Sequence, residues 1–306
     1  MTQTRKCGGD TCQLNSIRPY NMTDFVKLTL TFGASAIVLA ACSKAEAPKA
    51  ESKSEPVKAE ASAPADSDSL CLTMGPQTPR DISSKVGLNT TTFAMAPAST
   101  EMNLCNIHTH TNAEHKGPGF SVFVNDSEYG GYACNGSGDL TEAELAPYAD
   151  NDYGKVKPGN TIEVHWVHTS CDAKPGKGLG ACVPETCESP TLRVETQVFL
   201  VVNDRNAANF MDYGYSGSKT GGLHQPKSLP TGTGAPVQFL GSTTGPSYTQ
   251  TVCSPAQVTW SVRPQCQKLD IASLDAWAES GNVFKERKSH GVRQLVTAPE
   301  LLSAIK

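Results

Sequence analysis

The chain has 306 residues and no basic excess: 26 Lys and Arg stand against 30 Asp and Glu, for a formal net charge of −4. A nucleic-acid binder usually carries a basic patch or stripe, so that class is excluded on charge. Long apolar runs with a regular period are scarce, while Gly and Pro number 26 and 20. Together these favour a loop-rich β protein. The longest apolar run, Leu28 to Ala41, is short for a membrane span. His-rich and acidic flexible tracts are absent, as is any histidine before His108. Cysteine is plentiful: the eleven cysteines are many for a cytosolic chain and suit an oxidising compartment.

Residues 1–41 read as an N-terminal extension and a signal peptide. Residues 1–21 are polar and carry Cys7 and Cys12, for which we have no functional account. Met22 opens a familiar pattern and is the expected true start: Lys27 supplies a positive charge, the apolar run follows, and it closes on Leu39-Ala-Ala-Cys42. That close resembles the lipobox of bacterial lipoproteins, which implies a lipid-modified Cys42 as the mature N-terminus and export to the bacterial periplasm or cell envelope. The plainer expectation is a cleaved signal peptide without the lipid. Residues 42–70 are nearly all Ala, Lys, Glu, Ser and Pro. They have too little apolar bulk to fold and should form a disordered tether. Residues 71–306 remain as one β domain.

Strands are expected at 160–169, 193–202, 257–262 and 119–124, where β-branched and aromatic residues are dense. A helix is expected over 273–279 with Ser273 as its cap. Residues 213–247, rich in Gly, Ser, Thr and Pro, should be long loops. Setting aside Cys7, Cys12 and Cys42 leaves Cys71, Cys105, Cys134, Cys171, Cys182, Cys187, Cys253 and Cys266. An even set in an exported domain suggests disulfides, each stabilising by roughly 2–4 kcal/mol, although 105 pairings are open to eight cysteines. A metal-ligand reading of Cys171, Cys182 and Cys187 is weaker, because their spacing fits no paired C-x-x-C site.

Two stretches carry the chemistry. The run from Cys105 to His115 reads Cys-Asn-Ile-His-Thr-His-Thr-Asn-Ala-Glu-His, and Thr161 to His168 reads Thr-Ile-Glu-Val-His-Trp-Val-His. On a strand, residues two apart share a face, so His108 and His110 can grip one ion. By the same parity Glu163, His165 and Val167 share a face, while Trp166 and His168 take the other. His165 is therefore the expected third ligand and His168 is not. Three neutral imidazoles with an open fourth position make a catalytic zinc site. Each ligating ring needs an acceptor for its other N–H: Asn106 stands two before His108, and Glu163 two before His165. Such a centre lowers the pKa of bound water to about 7. His224 and His290 are expected at the surface.

These residues bring a family into view. His108-Thr-His110, Glu114-His115 and Glu163-Val-His165-Trp-Val-His168 follow the order of the alpha-class carbonic anhydrases. So do Pro76 to Ile82, Gly241 to Pro246 and Val258-Thr-Trp260. The run from Cys105 to Gly117 resembles the delta class more closely. The resemblance implies a mainly β, alpha-carbonic-anhydrase-like domain with a large, central, mostly antiparallel twisted sheet and long loops. It implies one Zn2+ on His108, His110 and His165, and reversible hydration of CO2 to bicarbonate by a zinc-bound hydroxide. Glu114 would orient a gatekeeper threonine, Thr243 or else Thr244, whose backbone N–H would polarise the substrate. Val167 would wall the CO2 pocket. Two departures stand out: Glu195 and Gln197 occupy a strand expected to be apolar, and the family's shuttle histidine is missing.

Two other readings fit parts of the pattern. In a cupin-type metalloenzyme, Glu114 would join His108, His110 and His165 as a ligand, with iron or manganese bound. In a non-enzymatic zinc-binding periplasmic lipoprotein, the metal would be cargo, although ligand-rich tracts are lacking. Membrane contact is expected only through the lipid anchor.

Overall fold

A computed structural model describes residues 70–149, 153–243 and 248–306. The leader, Cys42, nearly all of the tether, and Thr244 lie outside the described residues. The described residues hold ten strands: β1 (Asn103–Thr111), β2 (Val122–Val124), β3 (Gly131–Ala133), β4 (Thr161–Thr169), β5 (Leu192–Val202), β6 (Tyr215–Thr220), β7 (Leu223–Pro226), β8 (Val237–Ser242), β9 (Gln257–Val262) and β10 (Gln267–Asp270). An α-helix, α1 (Ile271–Glu279), follows β10 directly.

Six strands form the central sheet in the order β1-β4-β5-β9-β8, with β10 also on β5. Pairings β1–β4, β4–β5 and β8–β9 are antiparallel. The first half of β5 pairs β9 and its second half β10, both parallel, so the sheet is mixed. The β2–β3 and β6–β7 hairpins stand apart as two-stranded sheets.

Every residue of β4 and β5 is buried, which is why they read as near-continuous apolar and β-branched runs. Side chains alternate between two cores. Val167, Val194, Val198 and Trp260 pack on one face. Ile162, Val164, Trp166 and Phe199 pack on the other, against Leu274 and Trp277 of α1. Parity thus commits His165 and Val167 to one face of the sheet.

Several expectations are corrected. Residues 213–247 hold the β6–β7 hairpin and β8. The expected strand at 119–124 is confined to its last three residues. The helix starts two residues early: Asp270 caps it, accepting from the N–H groups of Ala272 and Ser273. Ser273 instead donates to the Asp270 carbonyl and accepts from Phe210 N. Asp offers two oxygens to the helix N-terminus and complements its dipole.

All eight domain cysteines are paired: Cys71–Cys253, Cys105–Cys182, Cys134–Cys266 and Cys171–Cys187. Their thiolates are therefore not metal ligands.

Candidate metal centre

Register brings the two histidine stretches together. His108 lies directly opposite His165, and His110 opposite Glu163, in the β1–β4 ladder. The three rings converge, with centroid separations of 5.2 Å for His108–His110, 5.0 Å for His108–His165 and 4.8 Å for His110–His165. One nitrogen from each lies within 4.8 Å of the others.

Outer partners fix the protons on these rings. Asn106 Oδ1 lies 2.6 Å from His108 Nδ1. The Gly291 carbonyl lies 3.2 Å from His110 Nδ1. Glu163 Oε1 lies 2.9 Å from His165 Nε2. Each partner atom can only accept, so each of those ring nitrogens carries the hydrogen. The lone pairs left on His108 Nε2, His110 Nε2 and His165 Nδ1 point inward, and His108 Nε2 and His165 Nδ1 approach to 3.2 Å with no proton between them. Converging acceptors of this kind call for a cation. Burial acts in the same direction, driving the His108 pKa well below its ordinary value and lowering that of His110. The donor set, three neutral imidazoles, suits Zn2+.

Glu163 is the hub behind this shell. Oε1 accepts from His165 and, at 2.7 Å, from His115 Nδ1. Oε2 accepts the backbone N–H of Glu114 at 2.5 Å and of His115 at 3.0 Å. Desolvation alone would raise its pKa, but His115 and His165 outweigh it and hold the carboxyl well below its usual range. His115 is wholly buried, edge-on to Trp260 at 4.7 Å.

Glu114 does not group with His108 and His110; its carboxylate comes instead within metal-ligand range of His115 and His165. Its carboxylate lies 3.7 Å from His110 Nδ1, the outward nitrogen, and 3.6 Å from Arg293 Nη2. Burial opposes ionisation, yet His110 and Arg293 keep its pKa lowered. This position gives the cupin reading no fourth ligand. Thr243 lines the same cavity at the end of β8. Its N–H is already bonded to the Ala256 carbonyl at 2.8 Å, so that group is not free to polarise a substrate.

The rings open into a cavity of about 500 Å³ whose apolar wall includes Val167, Leu179, Val194, Trp260 and Val292. Glu195 and Gln197 do not line it. Glu195 pairs with Arg193 at 2.7 Å and Arg263 at 3.4 Å, and Gln197 bonds Thr233 and the Gln265 carbonyl. Glu195 and Gln197 take the opposite face of β5 from Val194 and so leave the wall apolar.

Sequence reasoning missed the segment 286–293. It runs along β1, donating from His290 N to Thr109 O and accepting at His290 O from Thr111 N. Glu286 accepts from Thr109 N, and Gly291 supplies the acceptor for His110. His290 is half-exposed as expected, but it stands at the cavity mouth, 6.4–6.5 Å from the rings of His110 and His108. Its bond to Glu286 raises its pKa. His224 is partly exposed on the β6–β7 hairpin, as expected, and bonded to Tyr215. His168 is fully buried on the opposite side of β4, away from the cluster.

A family model described as "Delta carbonic anhydrase" matches residues 99–273. Among solved structures, the Photobacterium profundum alpha-carbonic anhydrase is 18% identical, with 72% of this chain and 86% of that one covered and a TM-score of 0.24. No curated protein matches. The family match spans both histidine strands, the central sheet that joins them and the cavity wall apart from segment 286–293, and the chain belongs to the delta carbonic anhydrase family.

Proposed function

We propose that this carbonic anhydrase hydrates CO2 reversibly at one zinc ion held by His108 Nε2, His110 Nε2 and His165 Nδ1. The observation that supports this most directly is the convergence of three unprotonated imidazole nitrogens on the face that opens to an apolar cavity. When bound, the ion supplies a Lewis acid that acidifies water to a pKa of about 7. The protein supplies the rest. Asn106, Gly291 and Glu163 hold the ring protons outward. Val167, Val194, Leu179 and Trp260 exclude water and leave space for a small apolar substrate. Glu114 and Thr243 are the proposed orienting pair. The backbone of Thr243 is tied at both its N–H and its carbonyl, the latter by Ser254 Oγ at 2.6 Å, so its hydroxyl is the group it offers the cavity.

We also place the enzyme outside the cytoplasm. Four disulfides suit an oxidising compartment, and the leader with Cys42 supports a lipid-anchored protein of the bacterial cell envelope. Fatty-acid labelling lost in Cys42→Ser tests the anchor. Metal analysis of the exported chain, with stopped-flow CO2 hydration in the presence and absence of a sulfonamide, tests the activity.

A further inference from the structure

His108 owes its tautomer to a side chain that can face either way. A carboxamide presents an acceptor from one side and donors from the other, and a flip would exchange them. At Asn106 the choice is made by Gly176. Its carbonyl can only accept, and it takes a hydrogen bond from Asn106 Nδ2 at 2.9 Å. That turns Oδ1 toward His108 Nδ1 and leaves the Nε2 lone pair facing the cavity. Reversed, the amide would offer N–H to that nitrogen and favour the tautomer that puts a proton where the metal should bind.

Gly176 belongs to the loop between β4 and β5, and that loop is tied to β1 beside Asn106. Gly176 N donates to the Cys105 carbonyl at 2.9 Å. The Cys105–Cys182 disulfide joins the loop to the strand one residue before Asn106. The ladder register shifts between Leu104 and Asn106 and leaves Cys105 outside the β1–β4 pairing. Cys171–Cys187 closes the loop on itself, and Asn103 Nδ2 holds the Cys171 carbonyl at 2.9 Å. The same loop places Lys177, Gly178 and Leu179 on the cavity wall.

We infer that the Cys105–Cys182 disulfide and the Gly176 carbonyl are positioning elements of the metal centre. They fix the amide of Asn106, the amide fixes the tautomer of His108, and the tautomer sets metal affinity. This rests on the proposed zinc site and extends it from the ligands to a covalent tie in a wall loop.

The test compares two cysteine-pair variants of the full chain. Zinc affinity is measured by competition with a chromophoric chelator, and Co2+ absorption reports ligand geometry. In C105S/C182S, zinc affinity is expected to fall roughly tenfold or more, the scale of lost support behind a ligand, with an altered Co2+ spectrum. In C134S/C266S, which removes a bridge that does not touch the cavity wall, affinity is expected to be unchanged even if stability falls. Unchanged affinity in the first variant, or equal losses in both, overturns the inference. Nitrogen-15 NMR of the metal-free wild type covers failure of a variant to fold. The Nδ1–H tautomer of His108 with a slowly exchanging Asn106 amide is expected, and the Nε2–H tautomer overturns the inference. Wild-type protein that binds no zinc would contradict the proposed function instead, and the tautomer measurement would still decide this point.

Discussion

Glu163 and His165 stand two residues apart on β4 and are joined side chain to side chain at 2.9 Å. The bond follows from strand parity, which puts both on one face. What parity does not give is the other load on the same carboxylate: one imidazole N–H and two backbone N–H groups from the Glu114-His115 turn. One buried anion therefore orients a ligand and anchors the turn that carries Glu114.

Glu163→Gln has a defined cost for this reason. A carboxamide has one accepting oxygen, whereas both oxygens of Glu163 receive donors. Either orientation aims an NH2 at N–H groups. We expect zinc affinity to fall about 10–100-fold and stability by about 3 kcal/mol or more. Chelator competition and denaturant unfolding read the two losses.

Glu114→Gln should behave differently, because Glu114 faces the outward nitrogen of His110 and not the ion. Zinc content should be retained while CO2 hydration slows by about tenfold or more. Loss of metal in this variant would restore the cupin reading.

Arg293 and Glu114 form a buried pair at 3.6 Å. Arg293→Met leaves the carboxylate without its cation, and breaking such a pair costs about 3–5 kcal/mol. Adding Glu114→Gln removes the stranded charge. The double variant should therefore be more stable than Arg293→Met alone, a coupling that a double-mutant cycle measures.

His168 sets a dependence on pH. Burial lowers its pKa from 6.5 to about 4, so the folded protein keeps it neutral where the unfolded chain is protonated. Its contribution is complete above about pH 6.5 and is lost as pH falls toward 4, with a slope of up to about 1.4 kcal/mol per pH unit. His110 and His108 shift in the same direction, so the comparison is with His168→Gln, which keeps a donor for the Trp166 carbonyl. The variant should lose part of the acid slope in urea unfolding measured at several pH values. Parallel curves for variant and wild type would contradict this.

The site was legible where it rests on local parity. His108, His110, His165, Asn106, Glu163 and Val167 all belong to two strands whose composition marks them, and alternation sorts their faces. The rest of the shell comes from chain segments that carry no pattern. Gly291 contributes a carbonyl, which no side-chain pattern reveals. Glu286, His290 and Arg293 reach the site because residues 286–293 cover the free edge of β1, and edge coverage is a tertiary event. Glu195 and Gln197 looked like intrusions into an apolar wall, but their strand turns them to the other face, where arginines and backbone groups satisfy them. Ser273 was a reasonable cap by residue type. Asp270 displaced it because the chain passes straight from β10 into the helix. Disulfide pairing likewise depends on distances that sequence spacing does not encode.

The central claim is that His165, and not His168, completes a three-histidine zinc centre that hydrates CO2. The most direct test is zinc content and stopped-flow CO2 hydration of His165→Ala and His168→Ala beside the wild type. The expected result is one zinc per chain and activity in the wild type, loss of both in His165→Ala, and retained zinc with reduced stability in His168→Ala. Full zinc and activity in His165→Ala would contradict the account.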